Sequence, residues 1–66
     1  MQTVRQKAIA FAAKVILRST DHQEVETALA DHDEFGPWLD GDLDVCQSIV
    51  RAAERRLGDR LPTKYS

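Results

Sequence analysis

The segment from Asp31 to Asp42 is the clearest place where side chains of suitable type and spacing could bind a ligand. Acids at loop positions 1 and 3, glycine at position 6 and an acid at position 12 follow the pattern of an EF-hand calcium loop. Phe35 replaces the usual Asp or Asn at position 5, and position 12 lacks the longer, bidentate glutamate. The segment is therefore better interpreted as a solvated acidic turn, and we expect no metal site.

Two histidines and one cysteine are the other candidates for metal binding or nucleophilic catalysis. Zinc needs three or four converging ligands, whereas His22 and His32 are ten residues apart. His32 falls on the inner edge of its predicted helix, which favours a partly buried, hydrogen-bonded imidazole. Cys46 lies on an apolar helical stripe, where the usual role is that of a small buried hydrophobe. Since spacing marks no activating base, we expect no catalytic residue, no cofactor and no enzymatic activity.

Charge is distributed very unevenly along the chain. Residues 1–20 contain four basic and no acidic side chains, and residues 45–66 contain five basic and two acidic ones. Between them, residues 21–44 contain nine acids and no lysine or arginine. The net charge of −2 therefore conceals an acidic centre between two basic ends. Part of this charge is expected to pair inside the fold and part to reach solvent, where it would attract a positively charged partner.

Length and composition restrict the classes of protein that need to be considered. A chain of 66 residues with 42% hydrophobic and 30% charged residues is expected to form one folded domain, residues 1–66, with a frayed tail at 63–66. Such a small core leaves little room for a deep enzyme cleft. No apolar run is long enough to cross a membrane, and no secretory signal is recognised. With a single cysteine, we expect a reducing, cytoplasmic setting. The alanine-rich composition, with six arginines against three lysines, suits a bacterial host.

Apolar periodicity predicts three helices, near residues 3–18, 21–32 and 42–57. Residues suited to capping stand at their ends: Thr3 with Gln6, Thr20 with Gln23, Asp42, and Gly58. The fold class is thus all-α, a small three-helix bundle with the first helix at its centre. The core is predicted to consist of the apolar faces of these helices: Val4, Ala8, Phe11, Val15, Ile16, Val25, Leu29, Ile49, Val50, Ala53 and Leu57.

The connection between the second and third helices, residues 33–41, is not a flexible linker in this interpretation. Gly36-Pro37 and Asp40-Gly41 are turn signals, and they alternate with Phe35, Trp38 and Leu39. We expect a structured loop whose aromatic side chains fold over the open end of the helices. Trp38 is expected to cover the core and also to anchor a partner, because tryptophan is enriched in binding hot spots.

The basic helices could alternatively contact nucleic acid. The first helix carries Lys7, Lys14 and Arg18, and the third carries Arg51, Arg55 and Arg56. A helix-turn-helix joins its two helices by three or four residues, whereas about nine separate the second and third predicted helices, and the second helix is strongly acidic. Both features argue against a helix-turn-helix. A small DNA-binding transcriptional regulator that uses Lys7, Lys14, Arg51 and Arg55 on phosphates remains the alternative.

In size, helical pattern and the acidic run from Asp21 to Asp44, the chain resembles the small acidic inhibitors encoded by phages and mobile elements, such as anti-CRISPR proteins. The resemblance implies a non-catalytic, protein-binding inhibitor or DNA mimic that acts on a nucleic-acid-handling complex. It carries no diagnostic motif, so the partner-binding residues follow from charge placement alone, with Trp38 or Phe35 as the apolar anchor. We predict these partner-binding residues: Glu24, Glu26, Asp31, Asp33, Glu34, Trp38, Asp40 and Asp42.

The expected partner is a protein with a basic surface, and no membrane association is expected. A homodimer stays open, because the wide apolar arc of the first helix could exceed what one small bundle buries.

Overall fold

The computed structural model describes residues 1–65, which form an all-α bundle and contain no β-strand. The helices are α1 (Val4–Ile16), α2 (His22–Asp31), α3 (Phe35–Leu39) and α4 (Leu43–Leu57), and a 3₁₀ turn follows at Gly58–Arg60. The predicted fold class is confirmed. The described residues contain four α-helices instead of three, because the predicted structured loop contains α3.

Helix α1 begins where the sequence predicts and ends earlier. Thr3 and Gln6 form a complete capping box, in which each side chain bonds the backbone N–H of the other residue. The helix ends at Ile16, so the predicted extension to residue 18 is wrong. Ser19 is buried just beyond this end, and its hydroxyl donates to the carbonyl of Val15 at 2.8 Å. The same carbonyl also accepts the backbone N–H of Arg18 at 2.9 Å, so both bonds close the last turn of the helix.

Helices α2 and α4 are both capped by aspartates. The Asp21 carboxylate accepts from the backbone N–H of Glu24 at 3.0 Å. The predicted capping role of Thr20 is therefore wrong; its hydroxyl lies 3.2 Å from a carboxylate oxygen of Glu24. Asp42 caps α4 as predicted. Gly58 ends the helix with a φ of 52°, a positive value that residues with a Cβ atom rarely adopt.

Helices α1, α2 and α4 pack against one another in pairs, and α3 packs against both α2 and α4. The predicted central place of the first helix is therefore not distinguished from that of α2 or α4. Nine of the eleven predicted core residues are buried, but Val4 and Phe11 are only half-buried. The apolar arc of α1 is wider than the surface that its two neighbours cover, so residues at the edge of the arc stay partly open. The core also contains residues that the prediction did not include: Ala12, Ala13, Phe35, Leu39 and Cys46.

Helix α3 lies against the end of α2 at unusually close range. A Cβ atom on Gly36 would lie 2.3 Å from the carbonyl oxygen of Ala30, so this contact requires glycine. Phe35 and Leu39 are one helical turn apart and both side chains enter the core. Asp40, with a φ of 51°, ends the helix in the left-handed conformation.

The last described residues pack back onto α4. The hydroxyl of Tyr65 donates to Oε2 of Glu54 at 2.5 Å, and the ring is half-buried against the core. Burial and this hydrogen bond raise the pKa of Tyr65. A frayed tail was predicted for residues 63–66; in the structure Tyr65 is held against α4, and Ser66 lies outside the described residues. None of the described helices is long and apolar enough to span a membrane.

Candidate functional site

The acidic segment 21–44 presents most of its charge to solvent. Seven of its nine acidic side chains are exposed, and Asp21 and Glu26 are half-buried. Within residues 1–65, one lysine–carboxylate pair and no arginine–carboxylate pair forms: Glu34 Oε2 lies 3.8 Å from Lys7 Nζ. Both side chains of this pair are about half exposed, and such pairs contribute only about 0–1 kcal/mol. The negative charge of the segment is therefore not neutralised inside the fold.

The predicted partner-binding acids fall into two groups. Glu24 and Asp31 are seven residues apart on α2 and share a face, and Asp33 and Glu34 follow in the turn to α3. Glu34 reaches towards α1, as its ion pair with Lys7 shows.

The second group lies where α2, α3 and the start of α4 meet. Glu26 and Asp42 line one groove there, and Asp40 precedes it in the turn between α3 and α4. No residue of α1 lines this groove. The seven predicted acids are thus divided between these two groups.

The two candidate aromatic anchors differ sharply in accessibility. Phe35 is 4% exposed and belongs to the core, so its predicted role as an alternative anchor is wrong. Trp38 is 40% exposed, which leaves part of its indole ring available. The amphipathic register of α3 explains the difference, since Phe35 and Leu39 occupy its inner face.

An aromatic corner, consisting of Phe11, His32 and Phe35, joins α1 to the α2–α3 turn. The His32 ring stacks on Phe35 with centroids 4.1 Å apart and meets Phe11 edge-on at 4.7 Å. Nδ1 of His32 accepts the backbone N–H groups of Glu34 at 3.0 Å and Phe35 at 3.3 Å. Because Nδ1 is the acceptor, a neutral ring carries its proton on Nε2. The half-buried, hydrogen-bonded imidazole agrees with the prediction, and its role is to hold the start of α3.

The α3 groove lies on the other side of the segment, where Glu26, Ala30, Leu39, Asp42, Leu43 and Cys46 contribute to its wall. It encloses about 480 Å³ and is open to solvent. Leu43, the first residue of α4, is 69% exposed at this groove. No lysine or arginine lines it. The groove therefore combines an apolar wall with negative charge.

Cys46 is 5% exposed in the wall of the groove. Burial, and secondarily the nearby Glu26 carboxylate, raise the pKa of the Cys46 thiol. Both effects disfavour the thiolate, which is the nucleophilic form. The structure therefore places this cysteine where it acts as a small buried hydrophobe.

No group of three or more His, Cys, Asp or Glu side chains within residues 1–65 is arranged to hold a metal ion. The segment from Asp31 to Asp42 contains α3, and Phe35 is buried where a calcium loop would present an oxygen ligand.

The basic residues of the alternative hypothesis are not all free to contact phosphate. Lys7 pairs with Glu34, and Arg51 lines a cleft of about 250 Å³ between α2 and α4 together with Glu26 and Glu54. Lys14 and Arg55 are exposed. Nearby carboxylates thus weaken the positive field at two of the four proposed positions.

The α3 groove was not predicted from the sequence. Its only signal there was Leu43, an apolar residue outside the periodic stripe of its helix and between two aspartates. Gly36, where α3 lies against the Ala30 carbonyl of α2, lines the groove together with Gly41 and Asp42 just before α4.

Comparison with protein-family models, with curated proteins and with solved structures finds no match. By its described residues, the chain is a small all-α bundle with an exposed acidic segment and with the partly apolar α3 groove beside it.

Proposed function

We propose that this chain is a non-catalytic protein-binding module that docks its acidic side chains on a basic, nucleic-acid-binding surface of a partner protein. The observation that carries the proposal is the exposure of segment 21–44 with a single lysine or arginine pair among the described residues. Evenly mixed surface charge would favour neither cations nor anions, whereas an unpaired acidic surface attracts cations selectively.

The mechanism is competition for the same lysines and arginines. Carboxylates of the module occupy positions on the partner that otherwise hold phosphates, so nucleic acid is excluded. The exposed edge of Trp38 supplies apolar contact that charge alone lacks. The module would act in the bacterial cytoplasm as an inhibitor of the anti-CRISPR or DNA-mimic type.

The test measures binding to two fluorescent probes, an arginine-rich peptide and a duplex DNA of about 30 base pairs, by anisotropy over a series of salt concentrations. The module is expected to bind the peptide, more weakly as salt rises, because exposed charges are screened over about 10 Å at 0.1 M. It is expected to leave free DNA unbound and to release DNA from a peptide–DNA complex.

Two charge reversals provide a matched comparison. Asp33→Lys and Asp59→Lys change the net charge equally at exposed positions, but Asp59 lies outside the acidic segment. Asp33→Lys should weaken peptide binding several-fold more than Asp59→Lys. Equal effects would show that only net charge matters and would contradict docking through the segment.

The alternative, a DNA-binding regulator, predicts the opposite result. Direct and salt-dependent binding of free duplex DNA, lost in Lys14→Glu and Arg55→Glu variants, would support it and overturn the proposed module.

A further inference from the structure

The α3 groove combines an apolar wall with carboxylates of the acidic segment. Leu39, Leu43 and Cys46 contribute to the wall from α3 and α4, and Ala30 contributes from α2. Its volume of about 480 Å³ is within the usual range for ligand sites, about 300–1,000 Å³. One exposed leucine is ordinary on a protein surface, but Leu43 also lines a concave site whose wall is partly apolar.

The charge of the groove restricts what can occupy it. Among the described residues that line the groove, Glu26, Asp42 and the Cys46 thiol are the ionisable groups, and none is a lysine or arginine. Arg51 shares a neighbouring cleft with Glu26, whereas no basic residue lines either cleft beside Asp42. A phosphate or another anion would be repelled by both carboxylates. A neutral apolar ligand would remove them from water without providing a partner, which is costly.

The hydrogen bonds of the Asp42 carboxylate show which of its two oxygens is open to a ligand. Its Oδ1 accepts both capping N–H groups, those of Asp44 at 3.0 Å and Val45 at 3.2 Å. The capping bonds thus use one oxygen, and Oδ2 can bond an incoming cation. Such charge-assisted hydrogen bonds are the stronger kind.

We propose that the α3 groove receives one bulky apolar side chain of a partner protein, and that a lysine or arginine on each side of this side chain pairs with Glu26 and Asp42. The inference rests on the proposed function and specifies its partner: the basic surface must carry an apolar residue between its cations. Charge would bring the surfaces together, and the apolar side chain would fix their register.

Two fluorescent nine-residue peptides test this pairing, with identical lysine content and a central leucine in one and alanine in the other. The leucine peptide should bind about fivefold to tenfold tighter, because its side chain buries additional apolar surface in the groove. Leu43→Ser should abolish this preference. Leu17→Ser, which alters an exposed leucine that does not line the groove, should leave it intact.

The outcomes separate the two proposals. Equal salt-dependent binding of both peptides would overturn the groove proposal and leave the acidic module standing. Absence of binding to either peptide would overturn both. A concentration-dependent dimer in sedimentation equilibrium that Leu43→Ser dissociates would show that a second copy of this chain occupies the groove, and would overturn the assignment to a basic partner.

Discussion

The aromatic corner and the α3 groove flank the same short helix. They differ in how many of their polar and apolar groups have partners within the fold. In the corner, His32 stacks on Phe35 and bonds two backbone N–H groups, and Glu34 pairs with Lys7. In the groove, Leu43 is exposed, and no lysine or arginine is among the described residues that line it beside Glu26 and Asp42. The contacts of the corner stabilise the fold, whereas the groove keeps apolar surface and carboxylates open to solvent. Because the surface of the groove contributes little to the stability of the fold, we expect a partner to bind there.

The largest effect is expected for Gly36→Ala, which disturbs the contact that both regions share. The new methyl group would overlap the Ala30 carbonyl oxygen, and backbone on both sides must move. We expect a loss of about 3 kcal/mol in the free energy of unfolding, measured by urea titration.

Gly41→Ala is the control for this substitution. A Cβ at Gly41 meets nothing within 4 Å, so only its φ of 72° opposes the change, at a cost of about 1 kcal/mol. A smaller loss for Gly36→Ala than for Gly41→Ala would contradict the close contact of α3 with α2.

His32→Ala tests the corner alone. The variant loses both the acceptor for two N–H groups and the ring contacts with Phe11 and Phe35, and about 1–2 kcal/mol of stability should disappear. His32→Asn keeps a short acceptor without the ring and should recover part of this loss. An unchanged melting temperature in His32→Ala would show that the corner does not hold α3.

The reactivity of the Cys46 thiol reports how well the wall of the groove shields it from a reagent in solution. Because burial raises the pKa of the Cys46 thiol above its ordinary value, the neutral thiol is favoured in the folded chain. The free energy of unfolding therefore falls as pH rises from the pKa of the unfolded chain through that of the folded chain. Alkylation by iodoacetamide near pH 8.5 should be at least about tenfold slower in the folded protein than in urea. Equal rates would mean that the wall opens readily.

The smallest effect on stability is expected for Leu43→Ser. The side chain is 69% exposed, so the free energy of unfolding should change by less than about 0.5 kcal/mol in the same urea titration. A loss above 1 kcal/mol would show that Leu43 supports the fold, and the contrast between corner and groove would fail.

Much of the helical framework could be predicted from local sequence. The apolar stripe of α4, with Asp42 before it and Gly58 after it, was predicted within one residue of its observed bounds. Capping and periodicity act over a few residues, so the sequence contains all the information they need. The same holds for the Thr3 capping box of α1.

Helix α3 and the burial of its residues could not be predicted in this way. A five-residue helix containing Gly36 and Pro37 has poor intrinsic propensity, and packing against α2 and α4 must stabilise it. For the same reason Phe35 became core and Trp38 stayed partly exposed.

The sequence by itself determined the helical class, the main caps and the presence of an unbalanced acidic segment, because propensity and charge belong to individual residues. Only the tertiary structure decided which acids find partners and where apolar surface stays open. Lys7 of α1 pairs with Glu34, while Glu26 of α2 lines the α3 groove together with Asp42 and Leu43. These arrangements bring together residues that are far apart in the chain. The distances between them are therefore set by the packing of whole helices.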